Sequence, residues 1–200
     1  MTQESLKKLN KAKRWSRLLK KCPYIRAIFI VGSVGFGNAR ENSDIDFLII
    51  TKTERIFTAR FFLSVVTQIF GLRRHKNKIA NRFCLNHYLT ESNLELPYKS
   101  EYDKKFYTKE LKVLFDKDGF YEEFLIANGF NFRRLSLRKL GECKNWKIGD
   151  FLENILKKWQ IRKIRNNPLT KLNKGIIIAN NKQMQFHPEA KSGIYIRDIF

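Results

Sequence analysis

Two aspartates, Asp44 and Asp46, flank Ile45 at the head of an apolar run, and a Gly32-Ser33 pair stands ten intervening residues upstream, behind another apolar run. In an extended strand alternate side chains share a face, so the two carboxylates point the same way. Two carboxylates on one face repel each other unless a cation lies between or beside them. Hard divalent ions such as Mg²⁺ or Mn²⁺ take oxygen ligands and keep open positions for phosphate. Paired-metal phosphoryl chemistry uses such a site to activate an attacking oxygen and to hold the leaving group. The Gly32-Ser33 turn offers the complementary half: glycine lets backbone approach phosphate closely, and N–H groups with the Ser33 hydroxyl can hold its oxygens. Gly35 and Gly37 relax the same loop.

Other phosphate-binding patterns fit this stretch less well. The glycine order is G-x-x-G-x-G, whereas a dinucleotide fingerprint reads G-x-G-x-x-G, and no Gly-Lys-Ser/Thr of a P-loop is present. Asp116-Lys117-Asp118-Gly119 lacks the third ligand position of a calcium loop and reads as a turn.

The elements that must position these groups follow from periodicity. Residues 3–20 read as a basic amphipathic helix carrying Leu6, Leu9, Ala12, Trp15 and Leu19 on its apolar side, stopped at Cys22-Pro23. Ile25 to Val31 and Ile45 to Thr51 are β-branched, apolar strands, and Gly32 to Gly37 is a turn. Arg55 to Gly71 is a helix, followed by a third strand at Arg82 to Leu89. Further on we expect a helix at Tyr102 to Glu110 and a strand at Leu111 to Phe115. An amphipathic helix is expected over 147–165, with Ile148, Phe151, Leu152, Ile155, Leu156 and Trp159 as a stripe for the core or a dimer contact. A β-hairpin is expected over 176–187. The alternation of helix and strand argues for an α/β (α+β) class: a mixed sheet flanked by helices over residues 1–115, and a mainly helical C-terminal region over 116–200 containing that hairpin.

Composition narrows the partners. The chain has 200 residues, with 40 Lys+Arg against 19 Asp+Glu, a formal net charge of +21. Hydrophobic residues at 43% are enough for a core, so a wholly disordered chain is excluded. No apolar run is long enough to span a membrane, and the polar first ten residues carry no signal-peptide stretch. Three widely spaced cysteines, Cys22, Cys84 and Cys143, form neither a disulfide framework nor a zinc motif, so a cytoplasmic location is expected. Residues 131–174 hold thirteen bases and three acids, more than one nucleotide needs, which points to an acceptor such as RNA or another polyanion. The run Arg73, Arg74, Lys76, Lys78 and Arg82 reads first as a solvated loop, with phosphate contact as the sharper alternative.

The combination Val31-Gly32-Ser33, ten residues, Asp44-Ile45-Asp46-Phe47 resembles the nucleotidyltransferase superfamily that includes DNA polymerase beta, poly(A) and CCA-adding enzymes and the minimal nucleotidyltransferases. The resemblance implies transfer of a nucleoside monophosphate from an NTP to an acceptor hydroxyl, with Mg²⁺ or Mn²⁺. It implies that Gly32 and Ser33 contact the triphosphate and that Asp44 and Asp46 bind metal and are catalytic. The family usually carries a third carboxylate on a following strand. Here that strand, RFCLNHYL, has no acid; Asn86 or His87 stands in its place, and Glu91 and Glu95 lie just beyond. Two further readings stay open: a nucleotide- or nucleic-acid-binding protein with weakened catalysis, and the nucleotidyltransferase member of a toxin–antitoxin pair.

Overall fold

The computed structural model describes residues 1–75, 77–96, 111–129, 147–171, 175–187 and 196–199. Helix α1 spans Gln3–Leu19, capped by Thr2, whose hydroxyl accepts from Ser5 N–H. Strand β1 (Ile25–Val31) runs into a five-residue helix α2 (Gly32–Phe36), so the expected turn after β1 is wound into helix. Strand β2 (Ile45–Thr51), helix α3 (Ile56–Ile69) and strand β3 (Phe83–Thr90) follow. Strand β4 (Lys112–Asp116), helix α4 (Phe120–Ala127), helix α5 (Lys147–Arg165) and a short α6 (Pro168–Lys171) come next. Strands β5 (Ile176–Ala179), β6 (Gln183–His187) and β7 (Ile196–Ile199) end the described chain. The expected helix at 102–110 lies outside the described residues.

Among the described residues the seven strands form one mixed sheet in the order β4-β1-β2-β3-β6-β5-β7. The pairs β1–β2, β1–β4, β3–β6 and β5–β6 are antiparallel, while β2–β3 and β5–β7 are parallel. The parallel β2–β3 pair needs a crossover, and α3 supplies it. The expected hairpin is present as β5–β6, and β6 joins β3, so the hairpin extends the sheet that carries the aspartates.

Strand alternation divides the apolar residues between two faces. Ile45, Phe47 and Ile49 meet α1, α3 and α5 residues such as Leu9, Ala59, Leu63 and Leu156. Val31, Leu48 and Ile50 meet Phe120, Phe124 and Leu125 of α4 on the other face. Asp46 falls in phase with Leu48 and Ile50, so it belongs to this second face, near its end.

Helix α5 docks with a different stripe from the one its apolar periodicity suggests. Of the expected stripe only Leu156 is buried; Ile148, Phe151, Leu152, Ile155 and Trp159 are exposed. The docked side joins buried Leu156, Ile161 and Ile164 to a set of polar anchors. Glu153 accepts from the N–H groups of Phe57 (2.9 Å) and Thr58 (2.8 Å) and from the Thr58 hydroxyl (2.5 Å). These are among the first amides of α3, which have no partner within the helix, and a carboxylate there also meets the positive end of the helix dipole. Gln160 donates to Phe57 O, and Asp150 pairs with Arg55. The docked side thus satisfies those buried amides and buries Leu156, Ile161 and Ile164, so the other members of the expected stripe do not join the core.

Candidate active site

The two halves of the Gly-Ser/Asp-x-Asp pattern meet through strand register. Val31, the residue before Gly32, is the Cα partner of Asp46 across the antiparallel β1–β2 pair. Gly32 takes φ +69°, a left-handed conformation that a side chain would strain, and so turns the chain out of the strand beside Asp46. Ser33 follows in α2, half-buried.

The loop from Gly37 to Ser43 carries the chain to Asp44, and α1 braces it. Thr2 N–H donates to Gly37 O (2.8 Å), and the buried Ser5 hydroxyl accepts from Ala39 N–H (2.8 Å). Lys8, almost fully buried, donates from Nζ to Glu41 O (3.0 Å) and to Asn81 Oδ1 (2.7 Å). Part of the basic charge of the first helix is therefore structural. Burial lowers the pKa of Lys8, against the pull of Glu4.

Across the parallel β2–β3 pair the partner of Asp46 is Cys84. Donor atoms of Asp44, Asp46 and Cys84 all lie within 4.8 Å of one another. Arg74 closes the group: its Nη1 donates to Asp44 Oδ2 at 2.7 Å and to Cys84 Sγ at 3.5 Å. Burial, then the neighbouring Asp44 charge, raise the Asp46 carboxyl to about 7; a hydrogen bond from Cys84 and the Arg74 charge offset part of this. Two carboxylates that crowd each other in this way, with a guanidinium already drawn to them, form a donor set suited to a cation. The residues present therefore fit a divalent metal.

The structure also locates the groups that were expected to complete the site. Glu91 lies at the far end of β3, where its carboxylate pairs with Arg26 Nε (2.8 Å) and accepts from Thr53 N–H. Seven residues of strand separate it from Cys84, roughly 23 Å, so it does not serve this site. Glu95 is exposed beyond that same end. His87 does not join the cluster either. A register shift places it opposite Leu48, one extra β3 residue beyond the Asp46–Cys84 pair, and it is fully buried, 3.4 Å from Gln183 Nε2. Burial, with His187 adding to it, drives its pKa well below the ordinary value.

Sequence reasoning passed over three groups. Cys84 stands where a ladder partner of Asp46 must stand, a signal readable only once the β2–β3 register is known. Arg74 belonged to a run first read as solvated loop. His187, from β6, lies 3.3 Å from the Asn86 amide. Burial and the Arg74 charge lower His187 to about 4, against the opposing pull of Asp44, so it is neutral near pH 7 and borders the site.

Residues 13–120 match the family described as "Polymerase beta, Nucleotidyltransferase", more than half of the chain. No curated protein matches this chain in sequence. Among solved structures, a crystal structure of a toxin-antitoxin with AMP-PNP is similar over 60% of this chain and 83% of its own, at 20% identity and a TM-score of 0.35.

Proposed function

The chain belongs to the polymerase beta nucleotidyltransferase family, and from that premise we propose that it is a metal-dependent enzyme transferring a nucleoside monophosphate from an NTP to an acceptor hydroxyl. The observation that carries this reading is the convergence of Asp44 and Asp46 beside the Gly32-Ser33 turn, imposed by the Val31–Asp46 pairing. Asp44 and Asp46 would hold the divalent ion, Mg²⁺ or Mn²⁺ in the usual chemistry of the family. Bound there, the ion would draw electron density from the α-phosphate and favour departure of pyrophosphate.

The chain's own residues then have defined tasks. Gly32 and Ser33 would hold the outer phosphates through backbone N–H groups and the Ser33 hydroxyl. Arg74, whose side chain is 43% exposed, can turn from Asp44 toward the triphosphate when an ion takes its place. The α1 hydrogen bonds to Gly37, Ala39 and Glu41 would keep the loop from spreading and so fix Asp44. Neutral His187 offers a proton acceptor at the border of the site.

A polyanionic acceptor such as RNA fits the charge. Lys158, Arg162, Lys163 and Arg165 of α5 are exposed and can track a phosphate backbone. A reducing cytosol suits a site that includes a free thiol.

The test is label transfer. The protein is incubated with each α-labelled NTP, Mg²⁺ or Mn²⁺, and pools of RNA, protein and small molecules. Transfer that disappears in Asp44→Ala and Asp46→Ala establishes the activity. NTP binding with no transfer into any pool overturns it in favour of a binding protein.

A further inference from the structure

We propose that the Cys84 thiolate is the third ligand of the cation held by Asp44 and Asp46, and that this sulfur makes the site bind borderline-soft divalent ions of the zinc class more tightly than Mg²⁺. The inference rests on Asp44 and Asp46 being metal ligands, and it goes beyond that reading by naming the third ligand and the class of ion.

The placement is built into the sheet. Cys84 is the ladder partner of Asp46, so its side chain leaves the same face at the neighbouring position. The three donor atoms already lie within 4.8 Å of one another. Zinc-class ions bind oxygen at about 2.0–2.2 Å and sulfur at about 2.3 Å in a tetrahedral shell, so two ligands of one ion stand about 3.5–3.7 Å apart. Side-chain rotation must draw the three donors together by up to about 1 Å. No other trio of His, Cys, Asp or Glu donors converges among the described residues. Along β3, Asn86 is directed to His187, His87 lies beyond the register shift, and Glu91 is paired with Arg26.

Arg74 marks where the ion would sit. One nitrogen, Nη1, serves both Asp44 Oδ2 and Cys84 Sγ, so a single positive centre already binds two of the three donors. Metal binding exchanges that centre for a dication. Arg74 turns aside but stays beside the site, the Cys84 S–H proton, held on the sulfur by burial and by the two aspartate charges, is displaced to water, and the sulfur lone pair fills the coordination position. Two carboxylates and one thiolate then face one dication, with Arg74 close enough to balance the remaining charge. Mg²⁺ takes oxygen ligands only, whereas thiolate selects zinc-like ions, which sets the preference.

The test uses the full chain carrying Cys22→Ala and Cys143→Ala, so that Cys84 is its sole thiol. It is titrated with Co²⁺, Zn²⁺ and Mg²⁺. The expected result is a thiolate-to-cobalt charge-transfer absorption that saturates at one ion and is displaced by Zn²⁺ but not by excess Mg²⁺. Adding Cys84→Ser should abolish the absorption and weaken Zn²⁺ binding at least about tenfold, the scale set by losing a coordinating group or its support. Absence of the absorption, or equal Zn²⁺ affinity in Cys84→Ser, overturns the proposal. Should Cys84→Ser fail to fold, X-ray absorption at the zinc edge decides on the protein that keeps Cys84. Sulfur at about 2.3 Å supports the ligand, and a shell of oxygen and nitrogen alone overturns it. Nucleotide transfer is scored in parallel. Transfer without a sulfur signal overturns Cys84 and leaves the enzyme reading standing; a sulfur signal without transfer supports Cys84 and counts against the enzyme.

Discussion

Arg74 Nη1 lies 2.7 Å from Asp44 Oδ2, so a side chain thirty residues further along the chain holds the position proposed for the metal cation. The pair is half-exposed, and an ion pair of this kind contributes about 0.2–1 kcal/mol. Its larger consequence is competition with whatever else the carboxylates bind.

Removing that competitor has a signed effect. Arg74→Ala should tighten divalent-ion binding by about fivefold in the absence of nucleotide, equivalent to roughly 1 kcal/mol for an exposed charge. The same variant should weaken NTP binding if the guanidinium turns to the triphosphate. Calorimetric titration with Mn²⁺, with and without a non-hydrolysable NTP, reads both; unchanged ion affinity would remove Arg74 from the site.

The pH dependence of the metal-free protein follows from Asp46. Its folded pKa, raised to about 7, exceeds that of an unfolded carboxyl, about 3.9, so the folded state binds the proton more tightly. That contribution is fully present below about pH 4 and is lost as pH rises through 7. In chelator, the melting temperature of the wild type relative to Asp46→Asn should therefore fall between pH 5 and 8, by roughly 2–4 °C for each kcal/mol of stability removed. A divalent ion should reverse the trend by favouring the carboxylate. Parallel melting curves for the two proteins across that range would refute the assignment.

Glu153 is the test of how α5 is attached. Its carboxylate accepts three hydrogen bonds from Phe57 and Thr58, although burial raises its pKa and so resists its ionisation. Glu153→Ala leaves two buried amides of α3 without a partner and should cost about 2–3 kcal/mol, measured by denaturant unfolding. Truncation of the exposed Ile155 to Ala should cost less than about 0.5 kcal/mol. Similar costs at the two positions would mean that α5 docks on its apolar stripe after all.

Charge on α5 gives a salt test. If single-stranded RNA is bound along Lys158, Arg162 and Lys163, replacing all three with Gln should reduce the slope of log affinity against log salt by about 2, near 0.7 for each phosphate no longer neutralised. An unchanged slope would assign these residues to solvent.

What could be read along the chain was what depends on near neighbours. β1 and β2 begin and end where β-branched apolar runs do, and α5 spans the expected 147–165. The β5–β6 hairpin follows from two short apolar runs around Asn180-Asn181-Lys182. Asp44 and Asp46, two residues apart where the chain enters β2, stand together, and the neighbouring Gly32-Ser33 pair marked the stretch as a candidate site. These features rest on dihedral preference and side-chain period, which a short window contains.

The remainder is settled by register and competition across long separations. Nothing local tells β3 to place Cys84 opposite Asp46, or to shift so that His87 falls opposite Leu48. A slip of one residue in that pairing would turn Cys84 to the other face, so the identity of the side chain beside Asp46 is a property of the sheet. Nor could periodicity choose the face of α5, because amides at the start of α3, about a hundred residues away, draw Glu153 inward and leave Trp159 half-exposed. Sequence alone determined which two carboxylates stand together. Only the tertiary structure decided which thiol and which guanidinium meet them, because those meetings depend on hydrogen-bond register between strands and on burying unsatisfied backbone groups.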